Sequence, residues 1–328
     1  ARGGNSPGPF YCIRIAPEMS LLLEVVAPVF GVMALGGLSV LIRVLDDRSV
    51  KGLVLFVFNF AIPILLFRSL ATTELPPDIR WGFLLSYFGG AIVVFAVGMA
   101  LGRLVFRRSL ADQAIFGMSA GFSNTVLIGI PILFTAYGPE ATLPTLLIIA
   151  FHGPILMSLT TGLIQLEKAG KLKLGDQIRT VGLELIRNPI IMGIVLGLLA
   201  NVAGVTLPAA VDGVAEMLGA AAVPSSLFAL GASLACYRLS GDTSPAITLT
   251  ALKLVVHPLL VWLLAVPVLG LEGIWVPVAV TMAAMPSGIN VYLFGARYQA
   301  APGVAARTVL LTNILSIATL SFVLYLFR

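Results

Sequence analysis

Gly121-Phe122-Ser123-Asn124-Thr125, followed by Pro131, and Pro286-Ser287-Gly288-Ile289-Asn290 interrupt two otherwise apolar runs, near 112–137 and 274–298. A helix broken at mid-membrane depth frees backbone N–H and C=O groups that cannot face lipid, so they must line a cavity or meet a ligand. Paired Gly/Pro-interrupted spans in matching halves of a chain point to a midplane binding site of the kind carriers use. The plainer reading of either break is a Pro-kinked span with packing polar groups, which membrane helices tolerate. An Asn in both breaks favours the binding site.

The rest of the chain agrees with a membrane setting. It is 59% hydrophobic and 11% charged over 328 residues, against about 45–50% and about 25% in soluble domains. Runs of about 20 apolar residues suffice to span the hydrocarbon core. Ten are predicted, near 20–42, 52–71, 81–105, 112–137, 141–164, 188–206, 209–236, 246–268, 274–298 and 303–327. Continuously apolar stretches such as 191–200 lack the alternation of a β-barrel, so the fold class is an all-α polytopic membrane protein. Residues 1–18 are polar, Gly/Pro-rich and followed by Met19, and read as an extension or tag. Cys12 and Cys236 suggest neither a disulfide framework nor a metal site.

With the N-terminus placed outside, 14 of the 20 basic residues fall in cytoplasmic loops. The net charge of +5 is then a matter of topology, and nucleic acid is not an expected partner. Both termini are expected on the periplasmic side of a bacterial inner membrane.

Ala61-Ile62-Pro63-Ile64-Leu65-Leu66-Phe67 echoes Ala222-Val223-Pro224-Ser225-Ser226-Leu227-Phe228 at an offset of 161 residues, and Asn124 and Gly129 match Asn290 and Gly295 at 166. A unit of five spans is odd, so its second copy enters the membrane from the opposite side. The expected organisation is a first repeat at 19–164, a basic cytoplasmic linker at 165–187, and a second repeat at 188–328.

The start of a half-helix carries unsatisfied N–H groups and partial positive charge, which favours an anion. Asn124, Asn290, Ser123, Thr125 and Ser287 add hydrogen-bonding groups, and Gly121 and Gly288 allow close approach to the backbone. No Arg or Lys lies within either break, which favours monocarboxylates or binding by dipoles alone. Ionisable groups within spans are candidates for substrate or proton chemistry: His152, and Lys253 and His257, which share a helix face. Lys253 lies about seven residues from a span end, and snorkelling is the plain alternative. Asn59, Asn313 and Glu24 could serve an ion or pack. The pairs Gly98/Gly102 and Gly193/Gly197 have small-xxx-small spacing and read as internal packing. No P-loop, H-E-x-x-H or G-x-S-x-G occurs, so neither ATP hydrolysis nor those hydrolytic chemistries are expected, and the chain reads as no enzyme.

Phe58–Phe67, Gly121–Pro131, Asn188–Gly193, Pro224–Ala235, Lys253–Pro258 and Ala284–Asn290, in that order, resemble the auxin efflux carrier family, especially its bacterial malonate/malate permease-like members. The resemblance runs from about Met19 to the C-terminus. It implies a ten-span inverted repeat similar to the bile-acid/sodium symporter fold, with spans 1, 2, 6 and 7 as scaffold and spans 3–5 and 8–10 as a moving transport unit. It also implies a crossing of the fourth and ninth spans, onto which Asn124, Pro131, Pro286 and Asn290 map, an organic anion as substrate, elevator-type motion and a homodimer through the scaffold. The short loop between halves carries no long regulatory segment over. The leading expectation is a secondary transporter of small carboxylates, needing no cofactor beyond H+ or Na+ coupling. The rival is a sodium-coupled symporter of larger amphipathic acids; an intramembrane enzyme and a channel are disfavoured.

Overall fold

Long apolar runs become helices because, in lipid, only a helix satisfies its own backbone. A computed structural model describes residues 26–73, 80–169, 175, 183, 186–236 and 242–327. Glu24 and the 1–18 extension lie outside these residues, as does most of the predicted linker. The described chain is all-helical apart from one isolated bridge between Ser123 and Ser287.

The elements run α1 Ala27–Leu41, α2 Asp47–Thr72, α3 Trp81–Leu104, α4 Leu110–Gly121, α5 at 125–137, α6 Thr142–Ala169, α7 Pro189–Val202, α8 Ala209–Ala235, α9 Thr243–Val268, α10 Trp275–Ala284, α11 Asn290–Tyr298 and α12 Pro302–Leu326. Six stretches are long and apolar enough to cross a membrane: α2, α3, Thr125–Glu167 (α5 with most of α6), α8, α9 and α12. This is a polytopic membrane protein. Helices α1, α7 and α10 are apolar but shorter. Between α5 and α6 the chain reverses at Gly138, whose φ of 65° is open to a residue without Cβ. Helix α6 continues to Ala169, into the region predicted as linker, and holds Pro154 inside it.

Three of the four π turns among the described residues share one cause. Val57–Ala61 precedes Pro63, Thr125–Gly129 precedes Pro131, and Leu252–Val256 precedes Pro258. A proline has no N–H for the carbonyl four residues back and its ring crowds that oxygen, so the preceding turn opens. Accordingly Ile62 N–H donates to Val57 O and His257 N–H to Leu252 O, each five residues back. The Leu127 carbonyl, four before Pro131, instead lies 3.4 Å from the Ser226 hydroxyl of α8.

Helix α1 packs along α8, and α2 along both α7 and α8. These approaches are close enough to exclude a side chain: a Cβ on Gly36 would lie 2.1 Å from Phe228 O, and one on Gly197 would lie 2.5 Å from Phe67 O. Gly193 meets Pro63 O and Gly98 meets Phe116 O in the same way, so both small-xxx-small pairs pack within the chain. Asn201 of α7 donates to Leu70 O and Thr73 O at the end of α2, each at 2.7 Å. Arg68 of α2 pairs with Asp212 of α8 at 2.7 Å. Elsewhere α3 packs on α4, α4 on α6, and α12 on α9, α10 and α11, enclosing the two breaks.

Candidate functional site

Helix α4 ends at Gly121, whose added Cβ would lie 2.9 Å from Ala91 O of α3. Phe122 then turns extended, and α5 restarts at Thr125. Helix α10 ends at Ala284, Met285 is extended, and α11 restarts at Asn290. The two extended pieces run antiparallel. Asn124 N–H donates to Pro286 O at 2.8 Å and Gly288 N–H to Phe122 O at 3.1 Å, flanking Ser123 and Ser287.

In such a pair the two facing residues direct their own N–H groups outward. Ser123 N–H reaches His152 Nε2 at 3.1 Å, and Ser287 N–H reaches Thr312 Oγ1 at 3.1 Å. Ser287 Oγ donates to Ser119 O at 2.7 Å. Each break is thus the other's partner. The two bonds between the breaks correspond at an offset of 164, so the counterpart of Asn124 is Gly288, and Asn290 lies two residues further on. Asn124 is the N-cap of α5, with Oδ1 accepting from Leu127 N–H at 3.2 Å, whereas Asn290 is the first residue of α11 and Ile289 holds the cap position without a side-chain bond.

Beside the crossing lies a cavity of about 650 Å³. Ser123, Asn124, Thr125, His152, Gly288 and Asn290, which the sequence reading names as candidate substrate contacts, line it. Pro131, Pro286 and Ser287 are buried and do not line it. Asn59 lines it from the π turn of α2, with Nδ2 donating to Leu55 O at 2.8 Å. Asn313 is buried on α12 away from it, with Nδ2 on Val309 O. Asn124 is 5% exposed, and its Nδ2 has no hydrogen-bond partner among the described residues. Since Oδ1 faces the Leu127 N–H, the free end is the amide donor.

His152 uses both ring nitrogens on the protein. Ser123 N–H can only donate, so Nε2 is the bare nitrogen and the ring proton sits on Nδ1, 3.1 Å from the Tyr87 hydroxyl of α3. The histidine thus offers the cavity its ring rather than a nitrogen. Tyr87→Phe leaves that N–H unpaired in a buried site, with an expected loss of about 1–3 kcal/mol. Chemical denaturation of the purified variant in detergent checks this, and a change below about 0.5 kcal/mol would contradict it.

The cationic environment departs from expectation in two ways. Lys253 does not snorkel: it is fully buried, with Nζ 2.7 Å from Ser123 Oγ, 2.6 Å from Ala283 O and 2.9 Å from His257 Nδ1. The π turn at 252–256 and the packing of α9 on α10 turn its side chain inward. The absence of Lys and Arg from the break segments therefore does not make the site free of cations. Arg187, just before α7, and Arg297, near the end of α11, also line the cavity. Sequence reasoning had counted both as topology signals. Nothing in the flanking sequence singled out Tyr87.

The family described as membrane transport protein matches residues 21–324. A protein of Rhizobium meliloti (strain 1021) named "Putative malonate transporter" is 27% identical over 310 residues, covering 94% of this chain and 97% of its own length. An "Uncharacterized transporter" of Methanothermobacter thermautotrophicus is 25% identical over 308 residues, covering 90% and 95%. The "Lysosomal cholesterol signaling protein" of Mus musculus is 27% identical over 262 residues, which are 74% of this chain but 30% of that protein.

Proposed function

Because the chain belongs to the membrane transport protein family, that of the auxin efflux carriers, we propose that it is a secondary carrier of small organic carboxylates, bound between the two breaks. The observation that carries this reading is the buried, unpartnered Asn124 amide donor in a cavity beside two crossed helix breaks. A carboxylate accepts hydrogen bonds and carries the charge that the start of α5 favours. Arg187 and Arg297 make room for a second carboxylate, so the earlier preference for monocarboxylates lapses. The name of the Rhizobium relative is consistent with malonate as a first substrate to try.

The mechanism we propose is alternating access by an inverted five-plus-five repeat in a bacterial inner membrane, with both termini periplasmic. Spans 1, 2, 6 and 7 correspond to α1, α2, α7 and α8. The contacts Gly36 on Phe228 O and Gly197 on Phe67 O support the repeat, since 36 and 197, and 67 and 228, are related by the same offset of 161. The Ser226–Leu127 contact, at the long distance of 3.4 Å, joins α8 to α5, an arrangement suited to a boundary that slides in an elevator motion. One observation favours a bulkier amphipathic acid as a second reading: about 650 Å³ is ample for a drug-sized ligand.

The test is current on a solid-supported membrane carrying the purified protein in liposomes, challenged with malonate, malate, pyruvate and indole-3-acetate, with and without sodium. The expected result is a carboxylate-evoked current that Asn124→Ala removes. A current unchanged in that variant would overturn the assigned site.

A further inference from the structure

Lys253 is buried from end to end, and it sits at the crossing of the breaks. An ammonium has three protons. Lys253 Nζ meets three acceptors at 2.6–2.9 Å: the hydroxyl of Ser123 in the first break, the carbonyl of Ala283 at the end of α10, and His257 Nδ1 one turn along α9. All three are uncharged or bear no negative charge, and none of the ion pairs found among the described residues involves Lys253. A charge held by neutral acceptors in a membrane interior is costly unless an anion comes close. The ammonium does not line the cavity, but Ser123, its hydrogen-bond partner, does.

We propose that the Lys253 ammonium is the resident cation of this site: it occupies the place between the breaks where a co-transported cation would be coordinated, and the carboxylate of the substrate is its counter-ion. The chemistry of the place supports this, since a hydroxyl and a helix-terminal carbonyl are the oxygen donors a hard monovalent cation takes. A tethered ammonium fills it without an ion from solution, so uptake needs no sodium. A ligand atom bonded to Ser123 lies about 5 Å from Nζ, two hydrogen-bond lengths meeting at the hydroxyl. At an effective dielectric of about 20, that attraction is worth on the order of a hundredfold in affinity. Lys253 is thus a positioning residue that acts through Ser123 and through its charge.

The inference rests on the carboxylate-carrier reading, and one experiment separates the two. The full chain is reconstituted in liposomes and uptake of radiolabelled malonate is measured, with sodium or with N-methylglucamine on both sides, for the wild type and for Lys253→Met, which keeps the length and removes the charge. The expected result is a wild-type rate that changes less than twofold on removing sodium, and a KM that rises at least tenfold in the variant with a smaller change in kcat. A wild-type rate that collapses without sodium overturns the proposal, as does a variant KM within twofold of the wild type. If Lys253→Met fails to fold, the sodium replacement on the wild type decides alone. A wild type that takes up none of malonate, malate, pyruvate or indole-3-acetate in either medium overturns the carrier reading itself.

Discussion

Asn124→Asp is expected to remove carboxylate binding while leaving the fold intact. The side-chain oxygen of Asn124 caps α5 by accepting from Leu127 N–H, and aspartate is an equally good cap with a favourable sign at a helix start. What changes is the other end. The amide donor that lacks a partner becomes a second oxygen, and the buried site gains a negative charge. Losing a hydrogen bond to a charged ligand costs about 1.5–3 kcal/mol, and repulsion between carboxylates about 4 Å apart adds about 4 kcal/mol at an effective dielectric of 20. Affinity should fall by at least a hundredfold, measured by uptake of the carboxylate that the wild type carries, with a melting temperature close to that of the wild type. Asn124→Ala makes a useful contrast, because it also gives up the cap, worth about 1 kcal/mol. Uptake by Asn124→Asp at the wild-type level would place the substrate elsewhere.

Among the described glycines, Gly231→Ala should cause the largest loss of stability that a single methyl group can bring. A Cβ there would lie 1.8 Å from Met33 O and 2.6 Å from its carbonyl carbon. Neither atom can rotate away, so α1 and α8 would have to separate. Parting them loosens the buried contacts of Val29 and Met33 on α1. Forced overpacking of this kind costs about 1–3 kcal/mol and sometimes more, and helices in lipid depend on close backbone approach. A loss of at least about 2 kcal/mol is expected in detergent unfolding. Gly31→Ala on α1, where an added Cβ meets nothing within 4 Å, is the control and should be neutral or slightly stabilising. Equal behaviour of the two variants would mean that α1 does not pack on α8 as described.

Much of the architecture was legible because the physics behind it is local. Apolar runs and their lengths mark the helices, and the Gly, Pro and Asn at 121–125 and 286–290 mark the interruptions. What closes each interruption was not legible. The pairing of Asn124 with Pro286 and of Gly288 with Phe122 joins segments more than 150 residues apart, and the match of Asn124 with Asn290 suggested a symmetry that the hydrogen bonds place two residues away. Lys253 was ambiguous for a similar reason: its distance from a span end allows either snorkelling or burial, and only the neighbours α4 and α10 decide. Arg187 and Arg297 look like ordinary loop charges until their helices bring them to one cavity. The glycine pairs were read correctly because a missing Cβ at helical spacing has few other uses.

The prolines that open the turns of α2, α5 and α9 also settle a matter of phase. An α-helix advances about 100° per residue, and a π turn holds one residue that this count leaves out. Beyond the wide turns of α2 and α9, the helix is therefore rotated relative to what its numbering would give if unbroken. In α2 the side that turns inward beyond its wide turn carries Leu66 and Leu70. The wide turns work as spare thread in a screw. A residue lost a few positions beyond a wide turn would swing every later side chain by about 100° to the wrong bearing.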